Sequence, residues 1–403
     1  MSAAFDLATI DIYDPAQYET AFPHEKFAFL REHAPVHWHP TPDGNGFWLL
    51  SRHDAVIEAS SDPLTFSAEL GGVVIEDLEP QRLAQMRGQL LAMDPPKHRE
   101  VRRKVLVGFT PGLVGRMEPF LRERARAVMT SAAEKGACDF VHEMAAQLPL
   151  QVICEIFGIP EVDRGWIVDA ADRVIGRDDH ELDPEQNNGQ ASFKLGAYGF
   201  QLASERQGKG GADLISQLVN APGDAAITPV EFASLFIQLF VAGNETSRTL
   251  LTGTLVAFTE NPDSYRALER EPQLLETAIE EMLRWTTPVH YFRRTATRDI
   301  ELQGHKIRAG QKVVLHYTSA DFDERVFAEP FRFDIRRDPN PHLAFGWGEH
   351  FCLGAKLARL EARVFWEEFF ARFRGFELVG PVRRMRSNLN NSHKEIRVRL
   401  TVR

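Results

Sequence analysis

From Thr228 to Phe258 the chain carries a helix signal too long and too apolar for a surface position, and this stretch limits the fold more than any other. Thr228 stands at the cap, Pro229 in the first turn and Glu231 three residues after the threonine, a reciprocal capping box. The pattern runs through Phe232, Phe236 and Phe240 and stops before Asn261-Pro262. Roughly 30 residues at about 1.5 Å each give some 45 Å, enough to cross a domain of this size. Apolar nearly all round, the helix is expected to run buried through the centre. The strands are short by comparison. Val36-His37-Trp38 and Phe47 to Leu50 flank a turn-rich link and predict a hairpin. Ile300 to Leu302, Val313 to Leu315 and the alternating end Ile396 to Val402 predict further strands. The expected fold class is mainly α with small β-sheets, in a single large domain, 35–403, after an N-terminal segment, 1–34.

Bulk properties narrow the function classes. Apolar residues at 43% and charged residues at 26% suit a soluble globular protein. No segment is expected to reach the roughly 18 uncharged apolar residues that a membrane span requires. Residues 1–18 carry Asp6, Asp11 and Asp14 and no long apolar run, so neither a signal peptide nor an anchor is expected. A net charge of −10 argues against nucleic-acid binding. Cys138, Cys154 and Cys352 are too few and too odd for a disulfide framework, which points to a reducing, cytoplasmic location.

Chemistry concentrates around Cys352, in Phe345-Gly346-Trp347-Gly348-Glu349-His350-Phe351-Cys352-Leu353-Gly354. Gly346 and Gly348 allow turns that a Cβ would forbid, so the loop can lie flat against a large planar ligand. The helix-forming run from Leu353 places the sulfur near free N–H groups that favour a thiolate. An isolated cysteine would more simply be a small buried hydrophobe. A second constellation, Ala242-Gly243-Asn244-Glu245-Thr246, interrupts the central helix signal. Gly243 weakens a helix, and Thr246 can turn its hydroxyl to the carbonyl of Ala242. Alone, this is accounted for by a small-residue notch for helix packing.

Together the two segments resemble the cytochrome P450 superfamily. The decapeptide is similar to that family's haem-ligand loop, Phe-Gly-x-Gly-x-His-x-Cys-x-Gly, and Ala242 to Thr246 to its oxygen-activation segment, Ala-Gly-x-Asp/Glu-Thr. The resemblance runs from about Pro35 to Arg403 and is nearest to the soluble bacterial type. It implies the P450 fold with haem b, Cys352 as the iron ligand, and O2 as co-substrate. Phe345 and Gly348 then belong to the cofactor loop, while Ala242 and Gly243 leave room above the ring. Thr246 and Glu245 are the implied catalytic pair, delivering protons to bound dioxygen. The segment Asp94-Pro95-Pro96-Lys97-His98-Arg99-Glu100-Val101-Arg102 matches a propionate-binding stretch, so His98, Arg102, Arg294 and His350 are the implied propionate partners. Glu281 and Arg284 match the family's Glu-x-x-Arg pair, with Arg332 expected as the third member of a structural triad.

The family's geometry also implies the substrate pocket. Val241, Val289, His290 and Leu389 should line it, with Val73, Val74, Ile75, Leu78 and Ala242, a mostly apolar set that calls for a lipophilic molecule such as a sterol, terpenoid, fatty acid or aromatic. His290 and Tyr291 are either polar anchors there or core residues. Arg177 to Gln190 falls where the family has a mobile lid. No nicotinamide or flavin motif is present, so NAD(P)H would act only through a ferredoxin reductase and a ferredoxin. Arg99, Arg102, Arg103, Lys104, Arg116, Lys356 and Arg359 form either a docking patch for an acidic ferredoxin or a solvated face. The implied activity is hydroxylation by a haem-thiolate monooxygenase. Two other readings use the same residues, a peroxide-driven haem peroxygenase and a non-catalytic haem-binding sensor. Glu245 and Thr246 favour the O2 route, since a peroxygenase has no need of the proton relay.

Overall fold

The computed structural model describes residues 5–403 of the chain; of the N-terminal segment 1–34, residues 1–4 lie outside it. The capping box at Thr228 forms as its residue types dictate. Thr228 Oγ1 accepts from the Glu231 N–H at 3.2 Å, and Glu231 returns a carboxylate oxygen to the Thr228 N–H at 2.9 Å. From this cap the central helix Pro229–Glu260 runs unbroken through Ala242 to Thr246. The interruption expected there is confined to one side-chain bond, Thr246 Oγ1 to the Ala242 carbonyl at 2.6 Å, because the ladder tolerates a hydroxyl shared with its own carbonyl.

Phe232, Phe236, Phe240, Leu250, Leu255 and Phe258 are all buried along this helix. It packs on Asn188–Arg206, Leu275–Thr286, Gln147–Phe157 and Ala355–Arg372, which close around it as one core. By length and mean hydropathy it is the single helix among the described residues that could cross a membrane, although Glu231, Glu245 and Arg248 keep its uncharged runs shorter than a span requires. Its fate in the fold is that of a core helix.

The expected hairpin is present, Val36–His39 paired antiparallel with Phe47–Leu50. It forms the edge of a five-stranded sheet in the order Val36–His39, Phe47–Leu50, Lys312–His316, Tyr291–Ala296 and Phe66–Ser67. One pairing, Phe47–Leu50 with Lys312–His316, is parallel and joins distant parts of the chain. Ile300–Leu302 and His305–Ile307 make a separate small hairpin. The closing strand Arg397–Val402 lies between Ala137–Asp139 and Phe373–Leu378. In a separate core cluster, Ile10, Ile12, Tyr18 and Phe22 pack with Phe47, Ile75, Tyr291 and Val314.

The brace beneath the cysteine loop differs from the expected triad. Glu281 and Arg284, one turn apart on Leu275–Thr286, are fully buried and meet through two bonds of 2.8 Å. The third partner is Arg337, whose Nε donates to Glu281 at 3.0 Å, joined by Asn340 at 3.1 Å. Arg332 instead forms an exposed pair with Glu329. The Asp334 N–H donates to Glu281 at 2.9 Å, and the chain then turns so that Arg337 reaches back to the same carboxylate. Arg337 also bonds the carbonyls of Ala328, Glu329 and Arg332, which fixes that turn.

Candidate active site

Between the central helix and the cysteine loop lies a cavity, about 1520 Å3 when the space it opens to solvent is included. Cys352 is reached from two sides. Its N–H donates to the Phe345 carbonyl at 2.9 Å, closing the loop on itself, and the helix Ala355–Arg372 begins three residues later. Gly346 and Gly348 both take φ of +69°, as expected for turns a side chain resists. Their neighbours differ. Gly346 lines the cavity, whereas Gly348 does not. A Cβ on Gly348 would stand 2.6 Å from the Ser60 carbonyl oxygen, so this glycine presses the loop against His53–Ser61 rather than contacting a cofactor.

The surface of Cys352 is exposed into the cavity. Burial pushes its thiol up, opposed by the Gly354 N–H and the Arg102 and Arg359 guanidinium groups. Arg359 lies 4.6 Å from the centre of the Phe345 ring and grips Glu280 with bonds of 2.6 and 2.7 Å. That commitment removes it from the free cations of the expected docking patch. Arg99 is likewise paired, with Glu349 at 2.9 Å, while Arg103, Arg116 and Lys356 remain exposed.

His98, Arg102, Arg294 and His350 all face this cavity, as expected. Lys97–Val105 carries the first two, and the strand Tyr291–Ala296 carries Arg294. Arg102 and Arg294 make the cluster cationic and short of anions. Arg294 is buried, and among the described residues the one hydrogen bond of its guanidinium is to the carbonyl of Arg293. Both ring nitrogens of His350 are buried without a partner. Burial and the charges of Arg294, His98 and Arg102 push His350 down to about 2. Glu349 is shared between His98 and Arg99, and Asp94, the carboxylate whose charge reaches Arg294, accepts from Ser67 and the Ala68 N–H. Buried cations of this kind are costly unless an anion completes them. A flat dianionic ligand fits both the charge and the glycine-lined wall, where a Cβ on Gly354 would meet no protein atom within 4 Å.

Ala242, Gly243 and Thr246 form the opposite wall. Leu91, Gln238, Ala242, Thr246, Val289 and Phe292 line both this cavity and an adjoining upper compartment, about 1170 Å3 with its space open to solvent included. The upper compartment is walled by Val73, Val74, Leu78, Val241, Val289 and Leu389, all expected there. Three other residues do not reach it. His290 is fully buried, bonds Thr318 at 2.8 Å and packs on Tyr18 and Phe22. Ile75 and Tyr291 point into the same N-terminal core. Val289, bridged to Asn390 ahead of the strand, and Phe292 within it take the cavity face instead.

Glu245 lines the upper compartment, but it does not bond Thr246. Its carboxylate pairs with Arg248, one turn on, and accepts from Thr249 at 3.3 Å. Burial pushes it up and Arg248 opposes this. Arg248 in turn reaches Asp172 at 3.0 Å on Glu161–Ile175, and Asp172 is 20% exposed. The residues overlooked in the sequence are therefore Arg248, Asp172, Arg337 and Asn340. Arg248 alone was detectable, as a cation at i+3 from a buried acid.

The connection 176–187 joins Glu161–Ile175 to Asn188–Arg206 where a lid was expected. Arg177 ties it to Glu76 at 2.7 Å, and Asp179 and Glu181 each meet Lys394 at 2.9 Å.

A family model described as Cytochrome P450 matches residues 199–391. Over 99% of both chains, the protein is 40% identical to the putative cytochrome P450 126 of Mycobacterium tuberculosis. It is 38% identical to a steroid C26-monooxygenase of Rhodococcus jostii, across 96% of this chain and 84% of that one. The structure of Mycobacterium marinum cytochrome P450 CYP268A2 in complex with pseudoionone aligns with a TM-score of 0.90 at 34% identity, covering 98% of this chain and 99% of that one.

Proposed function

The chain belongs to the cytochrome P450 family, and from that premise we propose that it hydroxylates a lipophilic small molecule held in the upper compartment against Thr246. The observation that carries this reading is the single cavity in which Cys352, an under-neutralised cationic cluster and Thr246 meet. The family's cofactor, haem b, supplies when bound the redox chemistry by which one oxygen atom of O2 enters a substrate.

Cys352 would hold the iron, with Arg102, Arg359 and the Gly354 N–H offsetting the cost of a buried thiolate. His98, Arg102, Arg294 and His350 would hold the propionates, which supply the anions this cluster lacks. Thr246 spends its proton on the Ala242 carbonyl, leaving the Oγ1 lone pairs free to accept from a water in the cavity. Glu245, which lines the upper compartment and is held by Arg248, would exchange protons with water in the cavity. The apolar walls exclude bulk water and favour a lipophile over a polar substrate.

The electron donor in this reading is an acidic ferredoxin, served by its reductase, which would meet exposed Lys356, Arg103 and Arg116 near the cysteine loop. Haem-loaded protein reduced with dithionite under carbon monoxide should show the strongly red-shifted Soret band of thiolate ligation. Cys352→Ser should lose that band while keeping its helical circular dichroism. A wild-type protein without the band, or a serine variant that retains it, would sink the reading. With ferredoxin replacing dithionite in the same assay, Lys356→Glu should slow the appearance of the band.

A further inference from the structure

The upper compartment is not uniformly apolar, and besides Arg177, Gln238, Glu245 and Asn390 it carries a group of polar side chains along one seam. Arg82, Gln85 and Gln89 approach from Pro80–Met86 and the residues just after it, and Asn188 and Ser192 from the start of Asn188–Arg206. The wall nearest Thr246 is made of Val241, Val289 and Phe292. A cavity built this way suits a molecule with a polar end and an apolar body.

The charges on its lining decide the sign of that polar end. Three charged side chains line the compartment, Arg82, Arg177 and Glu245. Arg177 is neutralised by Glu76 at 2.7 Å and Asp178 at 3.3 Å. Glu245 is neutralised by Arg248. Arg82 alone has no carboxylate partner among the described residues, and its hydrogen bond is to the neutral Asn188 side chain. That amide is itself oriented from behind. Buried Asp183 accepts from the Asn188 N–H at 3.0 Å and from its Nδ2 at 3.3 Å, which turns the amide oxygen toward Arg82. The guanidinium is thus positioned at the cavity wall with most of its donors unclaimed.

Resting on the reading that the site takes a lipophile, we propose that the substrate is an amphipathic lipid with a carboxylate, gripped by Arg82 on the seam while its apolar body lies toward Thr246. A guanidinium offers two parallel N–H groups to the two oxygens of a carboxylate, whereas an alcohol of the same length has a single oxygen to offer the fork and carries no charge. Gln85 and Gln89 add amide donors on the same side. Arg82 is exposed on its outer side, so the preference should be modest and salt-sensitive.

The test uses haem-loaded full-length protein at pH 8 with hexadecanoate, hexadecan-1-ol and the neutral steroid progesterone, binding being followed by the Soret shift and by calorimetry. Hexadecanoate is expected to bind about fivefold more tightly than the alcohol at low ionic strength, and the ratio should narrow as salt is raised. In Arg82→Gln the ratio should fall to near one, and Arg82→Lys should keep part of it. No preference for the acid in the wild type, or an undiminished preference in Arg82→Gln, would overturn the proposal. Alcohol and progesterone binding without an acid preference would overturn the carboxylate alone, whereas failure of all three probes would remove the lipophile reading with it.

Discussion

Removing the Arg337 guanidinium tests the brace beneath the cysteine loop more sharply than any change in the loop itself. Glu281 is fully buried and accepts from Arg284, Arg337, Asn340 and the Asp334 N–H. In Arg337→Ala the acid keeps its two bonds from Arg284, but it loses a second, nearly buried cation, and three carbonyls lose a common donor. Breaking a buried ion pair costs about 3–5 kcal/mol, and the surviving Arg284 pair places this variant near the lower end, at about 3 kcal/mol. Arg332→Ala removes only an exposed pair with Glu329 whose partners are 63% and 72% exposed, so it should stay within about 0.5 kcal/mol. Urea unfolding followed by circular dichroism, with loss of Soret absorbance recorded in parallel, separates the two. Arg337→Ala should unfold at clearly lower urea and release haem earlier in the titration. Equal effects, or a larger one for Arg332→Ala, would show that the assignment of the third member is mistaken.

Thr246→Ala should still consume NAD(P)H through the redox partners but divert it to peroxide; unchanged coupling of reductant to product would remove the Thr246 hydroxyl from proton delivery. The protein should also be acid-labile through two buried histidines. Burial holds His316 down to about 3 and His290 well below its ordinary value, and Arg31 beside the former and Arg384 beside the latter add to this. Unfolded, each titrates near 6.5, so below that pH the unfolded chain takes up protons that the folded chain refuses, and stability falls with falling pH. By pH 5 His316 should have withdrawn about 2 kcal/mol relative to pH 8, and His290 adds a loss in the same direction. Urea midpoints measured at both pH values check this, and His316→Asn should lessen the drop; a flat profile would refute it.

Much of the site was legible because its pieces are local. The capping box at Thr228, the turns at Gly346 and Gly348, and the one-turn spacing of His98 and Arg102 are short-range patterns that the backbone geometry makes specific. Arg337 was hidden because the chain between Phe322 and Phe345 is irregular, and no period tells which of Arg332, Arg336 and Arg337 turns inward. His290 was hidden for a different reason. Just ahead of a strand buried on both faces, polarity does not mark the cavity side, and the neighbours Phe22 and Thr318 come from distant parts of the sequence. Ser60, which requires a glycine at 348, lies almost three hundred residues upstream.

The core that Ile10, Ile12, Tyr18 and Phe22 share with Ile75 and Tyr291 reaches further than their distance from Cys352 suggests. Ile75 follows directly on Val73 and Val74, and Tyr291 precedes Phe292, so this cluster is the backing on which two walls of the upper compartment rest. Selection acting on ligand choice could therefore operate through the opening residues, reshaping the chamber from behind while every side chain that meets the ligand stays the same.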